Sequence, residues 1–185
     1  MFQVDTLKDN LKSGGARANL FNTQWTWPTA LTAVSGADRQ CEILCKAASL
    51  PSSVVGQIDV PFRGRQLKVA GDRTFENWTV TFINENNFAI RNTFEKWMSV
   101  LNQHKEGIGN HTLEEYYATL TVQQLQRTKA DDVIKEIKIV DAFPVNVSAI
   151  DLSYDTTDTI EEFTVEFAYQ YWTSTKSNSG ASTDS

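Results

Sequence analysis

The sequence is poor in the residues that usually carry metal or proton chemistry: in 185 residues there are two cysteines and two histidines. Cys41 and Cys45 lie four apart in a segment that reads as a strand. That spacing puts both thiols on one face, too far along it for an easy disulfide. Without a companion Cys or His pair they make a poor zinc site, so they read as reduced thiols. His104 and His111, seven apart in a glycine-containing connection, read as surface residues. Glu114 and Glu115, the Asp131–Asp132 turn and the Glu161–Glu162 strand start show no convergence on one ion. G-x-S-x-G, P-loop, G-x-G-x-x-G and H-E-x-x-H patterns are all missing. No catalytic residue, cofactor or metal is expected.

Positive charge is also scarce. Seventeen Lys and Arg face twenty-three Asp and Glu, a formal net charge of −6. An acidic chain without a basic patch is a poor candidate for phosphate binding by counterion release. The densest basic stretch, Arg63, Arg65 and Lys68, lies in a hairpin-like segment and is followed by Asp72. Some 18 consecutive apolar residues, as a bilayer span needs, occur nowhere. Asp5, Lys8 and Asp9 stand where a signal peptide would have its apolar run. No export is therefore expected, and the three Asn-x-Ser/Thr tripeptides, beginning at Asn77, Asn110 and Asn146, read as chance matches.

Aromatic residues are abundant, with ten Phe and five Trp in a composition that is 41% hydrophobic. This is enough for one domain with a real core, and neither repeat nor linker divides it. Val4, Leu7 and Leu11 predict a short N-terminal helix stopped at Gly14–Gly15. Strands are expected over 19–27 and 40–48, with a loop between them, and over 54–69 as two strands folded about 61–64. In 77–83, Trp78, Val80 and Phe82 alternate with Thr79 and Thr81. The one long helix is expected over 87–102, capped by Asn86 or Asn87, with Ile90, Phe94, Trp97, Met98 and Leu101 on one stripe. Further strands are expected over 115–126, 133–141, 145–152 and 160–172, the last alternating from Phe163 to Tyr171. Residues 173–185, rich in Ser and Thr, read as a disordered tail beyond a single domain over 1–172.

The fold class is mainly β: an antiparallel sandwich or half-barrel with one flanking helix. A second sheet face holding Thr79, Thr81, Thr119, Thr121, Thr164 and Gln170 is polar but thinly charged. Such a face suits bulk water, and it equally suits an aqueous channel built from several copies joined edge to edge.

Several segments together resemble the tail tube proteins of T4-like contractile phages. They are the run from Val69 to Thr81 (VAGDRTFENWTVT), Ala16-Arg17-Ala18-Asn19-Leu20-Phe21, the segment from Cys45 to Pro51, Phe143-Pro144 with Asn146-Val147, and the stretch from Phe163 to Trp172. The resemblance spans about 1–172; a longer loop near 25–40 and the tail after Trp172 depart from it. It implies hexameric rings stacked into a tube in the virion tail, assembled in the host cytoplasm. A sheath protein would lie outside, tape measure protein and DNA in the lumen, and a baseplate initiator and tail terminator at the ends. A baseplate tube-initiator or a type VI secretion-like tube protein is the alternative, and a small-molecule β-barrel a more distant one. The exposed apolar content of 54–69 further suggests a stacking element between rings. Its candidate contacts are Val55, Ile58, Val60 and Phe62, with Arg63 and Arg65 at the tip.

Overall fold

A computed structural model of the chain describes residues 4–11, 14–31, 36–107, 109, 112–127 and 132–177. The expected N-terminal helix is α1 (Val4–Asn10), with Val4, Leu7 and Leu11 turned to solvent. Then follow β1 (Phe21–Trp25), α2 (Ala37–Leu44), β2 (Cys45–Ala48), β3 (Val54–Phe62), β4 (Arg65–Thr74) and β5 (Trp78–Ile83). The second half contains α3 (Ala89–Leu101), α4 (Leu113–Tyr116), β6 (Ala118–Leu125), β7 (Val133–Val147), β8 (Glu162–Ala168) and β9 (Tyr171–Ser177). Every pairing is antiparallel. Seven strands form one sheet in the order β1-β6-β7-β8-β5-β2, with β9 also on β7, while β3 and β4 form a separate ribbon. The sheet is open and one main helix covers its apolar side.

The core follows from alternation. Trp78, Val80 and Phe82 of β5 and Phe163, Val165 and Phe167 of β8 are all fully buried. On α3, Ile90, Phe94 and Trp97 close over them, while Met98 and Leu101 complete the stripe at half burial. Trp25 sits at the centre, its ring 5.4–5.9 Å from those of Trp78, Phe82, Phe94 and Phe167. Three indole N–H groups find acceptors without reaching water: Trp25 donates to Thr23 Oγ1, Trp78 to the Ser49 carbonyl and Trp97 to the Tyr116 carbonyl. The core therefore takes in large aromatics without orphaning those donors. The Asn87 side chain accepts from Ala89 N–H at the start of α3, just before which Phe88 takes a left-handed conformation.

Five sequence expectations need correction. Residues 40–48 are not one strand: 37–44 are helical, because Ala37 and Cys41, four apart, share one buried side. Strand structure begins only at Cys45, so the two thiols do not share a strand face. Residues 115–126 begin with α4, and the strand starts at Ala118. Residues 133–141 and 145–152 do not hold two strands. β7 runs unbroken to Val147, then leaves the sheet. Asp141 has φ 56, and an extra residue near it shifts the register against β6. The buried positions consequently change phase, from Ile137 and Ile139 to Ala142 and Pro144, and a bulge imitates a turn. Residues 160–172 are likewise two strands with a bend at 169–170. After it the core side passes from Phe163, Val165 and Phe167 to Trp172 and Ser174, so the alternation through Tyr171 does not hold. Finally, Thr173–Ser177 belong to β9 and are not a disordered tail; 178–185 lie outside the described residues.

Candidate functional site

The bend in β7 divides its pairing. Its first part lies between β6 and β9, and its second part pairs with β8. The first part therefore belongs to a four-stranded region, β1-β6-β7-β9, whose two faces can be read row by row. Toward the core run Trp25–Leu120–Ile139–Trp172 and Thr23–Val122–Ile137–Ser174. Away from it run Gln24–Thr121–Lys138–Thr173, Asn22–Gln123–Glu136–Lys176 and, next to the bend, Val140–Tyr171. The outer face is mostly polar, with one acid, Glu136, and two bases, Lys138 and Lys176, in its rows. Gln123 donates to Glu136 Oε2 at 2.7 Å, a cross-strand bond between β6 and β7. Among the described residues neither β1 nor β9 is paired on its outer edge, so both ends of this polar surface present free backbone groups.

The six polar residues expected on one face are divided by the structure. Thr119 and Thr121 belong to the four-stranded region. Thr79, Thr81 and Thr164 lie on β5 and β8, where the Thr81 and Thr164 hydroxyls are 3.4 Å apart. Gln170 lies at the bend between β8 and β9. Asn22, Gln24, Gln123 and Glu136 were missed, although the alternation of Asn22 and Gln24 with Thr23 and Trp25 carries the signal.

The second feature is the β3–β4 ribbon, which leaves the body as an exposed hairpin. Its turn, Arg63 with φ 44 and Gly64 with φ 80, has the two left-handed residues that a tight two-residue hairpin loop requires. Register makes the hairpin amphipathic. Ile58 pairs with Val69, Val60 with Leu67 and Phe62 with Arg65, so these side chains share one face. Gln57, Asp59, Pro61, Gln66, Lys68 and Ala70 share the other. Ile58, Val60, Phe62, Leu67 and Val69 are 43–67% exposed, a contiguous apolar surface that no described residue covers. Five of the six candidate contacts lie on this face or at its tip; Val55, beyond a register shift, is exposed at the base. Leu67 and Val69 were missed, although Arg65, Leu67 and Val69 alternate with Gln66 and Lys68. Arg63 stacks over the Phe62 ring at 5.3 Å.

The residues weighed for chemistry stay apart. His104 is exposed in a turn, and His111 and Asp131 lie outside the described residues. Among the described residues no three His, Cys, Asp or Glu side chains gather as metal ligands, and no helix is long and apolar enough to cross a membrane. Cys41 and Cys45 are free thiols, and burial pushes Cys45 up to about 11 and Cys41 further in the same direction.

An open sheet with a polar face, unpaired edges and a projecting amphipathic hairpin defines a β protein equipped for self-association. The family model described as phage tail tube protein matches residues 16–175. The tail tube protein gp19 of Enterobacteria phage T4 is 35% identical over 170 residues, covering 91% of this chain and 98% of that one. A chain of the anti-feeding prophage baseplate has a similar fold, with TM-score 0.65 at 13% identity, covering 89% of this chain and 97% of its own. A chain of the PVC extracellular contractile injection system sheath–tube complex also has a similar fold, with TM-score 0.53 at 10% identity and coverage of 93% and 98%. The chain belongs to the phage tail tube protein family. It is a structural component of the virion tail and not an enzyme.

Proposed function

We propose that the chain assembles as hexameric rings, stacked into a tube, with the outer face of β1-β6-β7-β9 lining the lumen. The observation that carries this reading is the pair of free edges, β1 and β9, on either side of one polar surface. Joining β9 of one copy to β1 of the next satisfies both edges and makes the polar rows continuous around a ring. The lumen would then present mainly Asn, Gln and Thr, with Lys138 and Lys176 offset in part by Glu136. Such a wall conducts DNA, and before it the tape measure protein, without gripping phosphates. The opposite side would meet the sheath, and the tube ends would meet the baseplate initiator and the terminator.

The hairpin is assigned to contact between successive rings. Its apolar face is worth about 1.5–3 kcal/mol per large side chain if fully buried, and no described residue of the chain covers it. Replacing 55–68 with a Gly/Ser linker should abolish tubes while the monomer melts as before. Loss of folding instead would place the hairpin in the core. For the whole reading, concentrated protein supplied with a baseplate seed is expected to show tubes of even width by negative-stain microscopy. Seeded protein that forms none overturns it. The initiator alternative gains no specific support here. Sheath and tape measure genes beside this one would favour the tube, and secretion ATPase genes the type VI-like alternative.

A further inference from the structure

The hairpin and the most acidic segment of the chain lie at opposite ends of the same strands. β5 runs from Trp78, paired with Phe167, to Ile83, paired with Glu162. The hairpin joins the sheet at the Trp78 end, where the Trp78 indole holds the Ser49 carbonyl and Phe75 packs on Tyr169. Residues 149–161 connect β7 to β8 and lie at the Ile83 end. Five residue steps of β5 separate the two ends by about 17 Å.

The two ends are complementary in charge and in polarity. Residues 149–162 carry Asp151, Asp155, Asp158, Glu161 and Glu162 and no base. Of the bases nearby, Lys46 is taken by Glu162, and Arg91 by Glu95 and the Ser148 carbonyl. Among the described residues the Glu161 carboxylate accepts only from the Asn84 side-chain amide, and Glu85 Oε1 is buried without a hydrogen-bond partner. A depression of about 470 Å³, lined in part by Ile150, Asp151, Leu152, Ile160 and Glu161, adjoins a second of about 370 Å³ that contains Glu85 and shares Ile160 and Glu161. Leu152 and Ile160 are 81% and 67% exposed at its rim. The hairpin tip offers the matching set: Phe62 exposed, with Arg63 and Arg65 on either side of Gly64 and no acid between 60 and 71.

We infer that this acidic, apolar-rimmed end is the receptor for the hairpin tip of a second copy of this chain. Phe62 lies among Ile150, Leu152 and Ile160, and Arg63 and Arg65 meet Asp151, Glu161 and the unpartnered Glu85 oxygen. A contact between unlike ends of identical chains either closes a ring or propagates, and because the ring is already closed through β1 and β9 in this reading, the hairpin contact propagates as the stack. The inference rests on the reading of the hairpin as a contact between rings, and names the surface it contacts.

Charge reversal tests it. R63E/R65E and D151K/E161K, each folded as judged by its melting temperature, should each lower seeded tube yield at least roughly tenfold, because like charges then face one another. Combining all four substitutions should restore tubes. As a measure independent of charge, F62C/I160C protein should give a ladder of disulfide-linked multimers on oxidation of assembled tubes, and neither single variant should. A four-substitution variant that stays unassembled, together with no ladder, overturns the receptor. If the linker variant lacking the hairpin also forms no tubes, the hairpin keeps its role and only its docking surface is wrong. If the linker variant still forms tubes, the underlying assignment falls as well.

Discussion

Gly71 faces Gly56 across the base of the projecting hairpin, so close that a Cβ on Gly71 would lie 3.2 Å from the Gly56 carbonyl carbon and oxygen. The register shift between Val55 and Gln57 occurs at the same place. The ribbon therefore takes its bend where two glycines let the backbones approach. Gly71→Val should force the strands apart at a local cost of about 1–3 kcal/mol. Because the ribbon lies outside the core, that cost should fall on the hairpin, moving the monomer melting temperature by no more than about 2 °C. Tube yield in a seeded assembly assay should drop sharply. A large fall in monomer stability would show that the hairpin supports the body.

The opposite behaviour is expected at Phe94. Its ring is fully buried and lies 5.4–5.8 Å from those of Trp25, Trp27, Phe82 and Phe167, which makes α3 the lid of the core. Phe94→Ala should cost about 3–5 kcal/mol, as large aromatic truncations in cores do. For a chain of this size that lowers the melting temperature by roughly 6–20 °C, read by calorimetry. Assembly should fail only as a consequence of unfolding, so tubes should recover on cooling.

How far these positions were legible in the sequence depended on what each signal reports. Trp78, Val80 and Phe82 alternate, and Phe94 and Trp97 repeat at helical spacing, because each pattern records burial against a single core. The errors occur where the chain changes partner within one element. At Asp141 a left-handed residue shifts the phase of β7 without ending it, and the β8–β9 bend follows because both strands pair with β7. Cys41 misleads for another reason: over two turns, an alternating and a helical pattern pick out the same few residues. The polar face was legible strand by strand from alternation, as in Asn22 and Gln24, but deciding that Gln24, Thr121, Lys138 and Thr173 form one row requires the register of four strands. The hairpin was legible as apolar and basic, but its division into two faces again depends on register.

The thiols, Cys41 buried and Cys45 half-buried, predict a pH dependence. Burial pushes Cys45 to about 11 from an ordinary value of 9.0, and its Sγ donates to the Ala47 carbonyl at 3.8 Å. The folded chain thus keeps a proton that the unfolded chain releases above about pH 9. Stability from this group is fully present below pH 9 and is lost as the pH rises toward 11. Cys45→Ser should flatten the fall in melting temperature between pH 9 and 11 relative to the unaltered protein, without changing the curve below pH 8. Iodoacetamide at pH 8 should label the native protein far more slowly than the urea-unfolded chain. An identical pH slope in the variant would contradict this assignment.

The proposed lumen gives the most direct test of conduction. Gln24 is exposed on β1, in the row Gln24–Thr121–Lys138–Thr173, and reaches no core side chain across those strands. Gln24→Arg should leave the fold intact, with a change in stability within about 0.5 kcal/mol. In a hexameric ring it would add a girdle of positive charge, repeated at every level of the tube. Each inward Arg that meets a phosphate releases a counterion, so DNA held in the tube would be retarded in a salt-dependent way. Phage carrying Gln24→Arg should therefore build tails of normal length and contract normally, yet eject DNA more slowly. Raising the salt concentration should recover much of the rate. Gln24→Glu should assemble less well or equally well, but without slow ejection that salt relieves. Normal ejection by the arginine variant in intact tails would mean that this face does not line the channel, and that the β1 and β9 edges close a different surface.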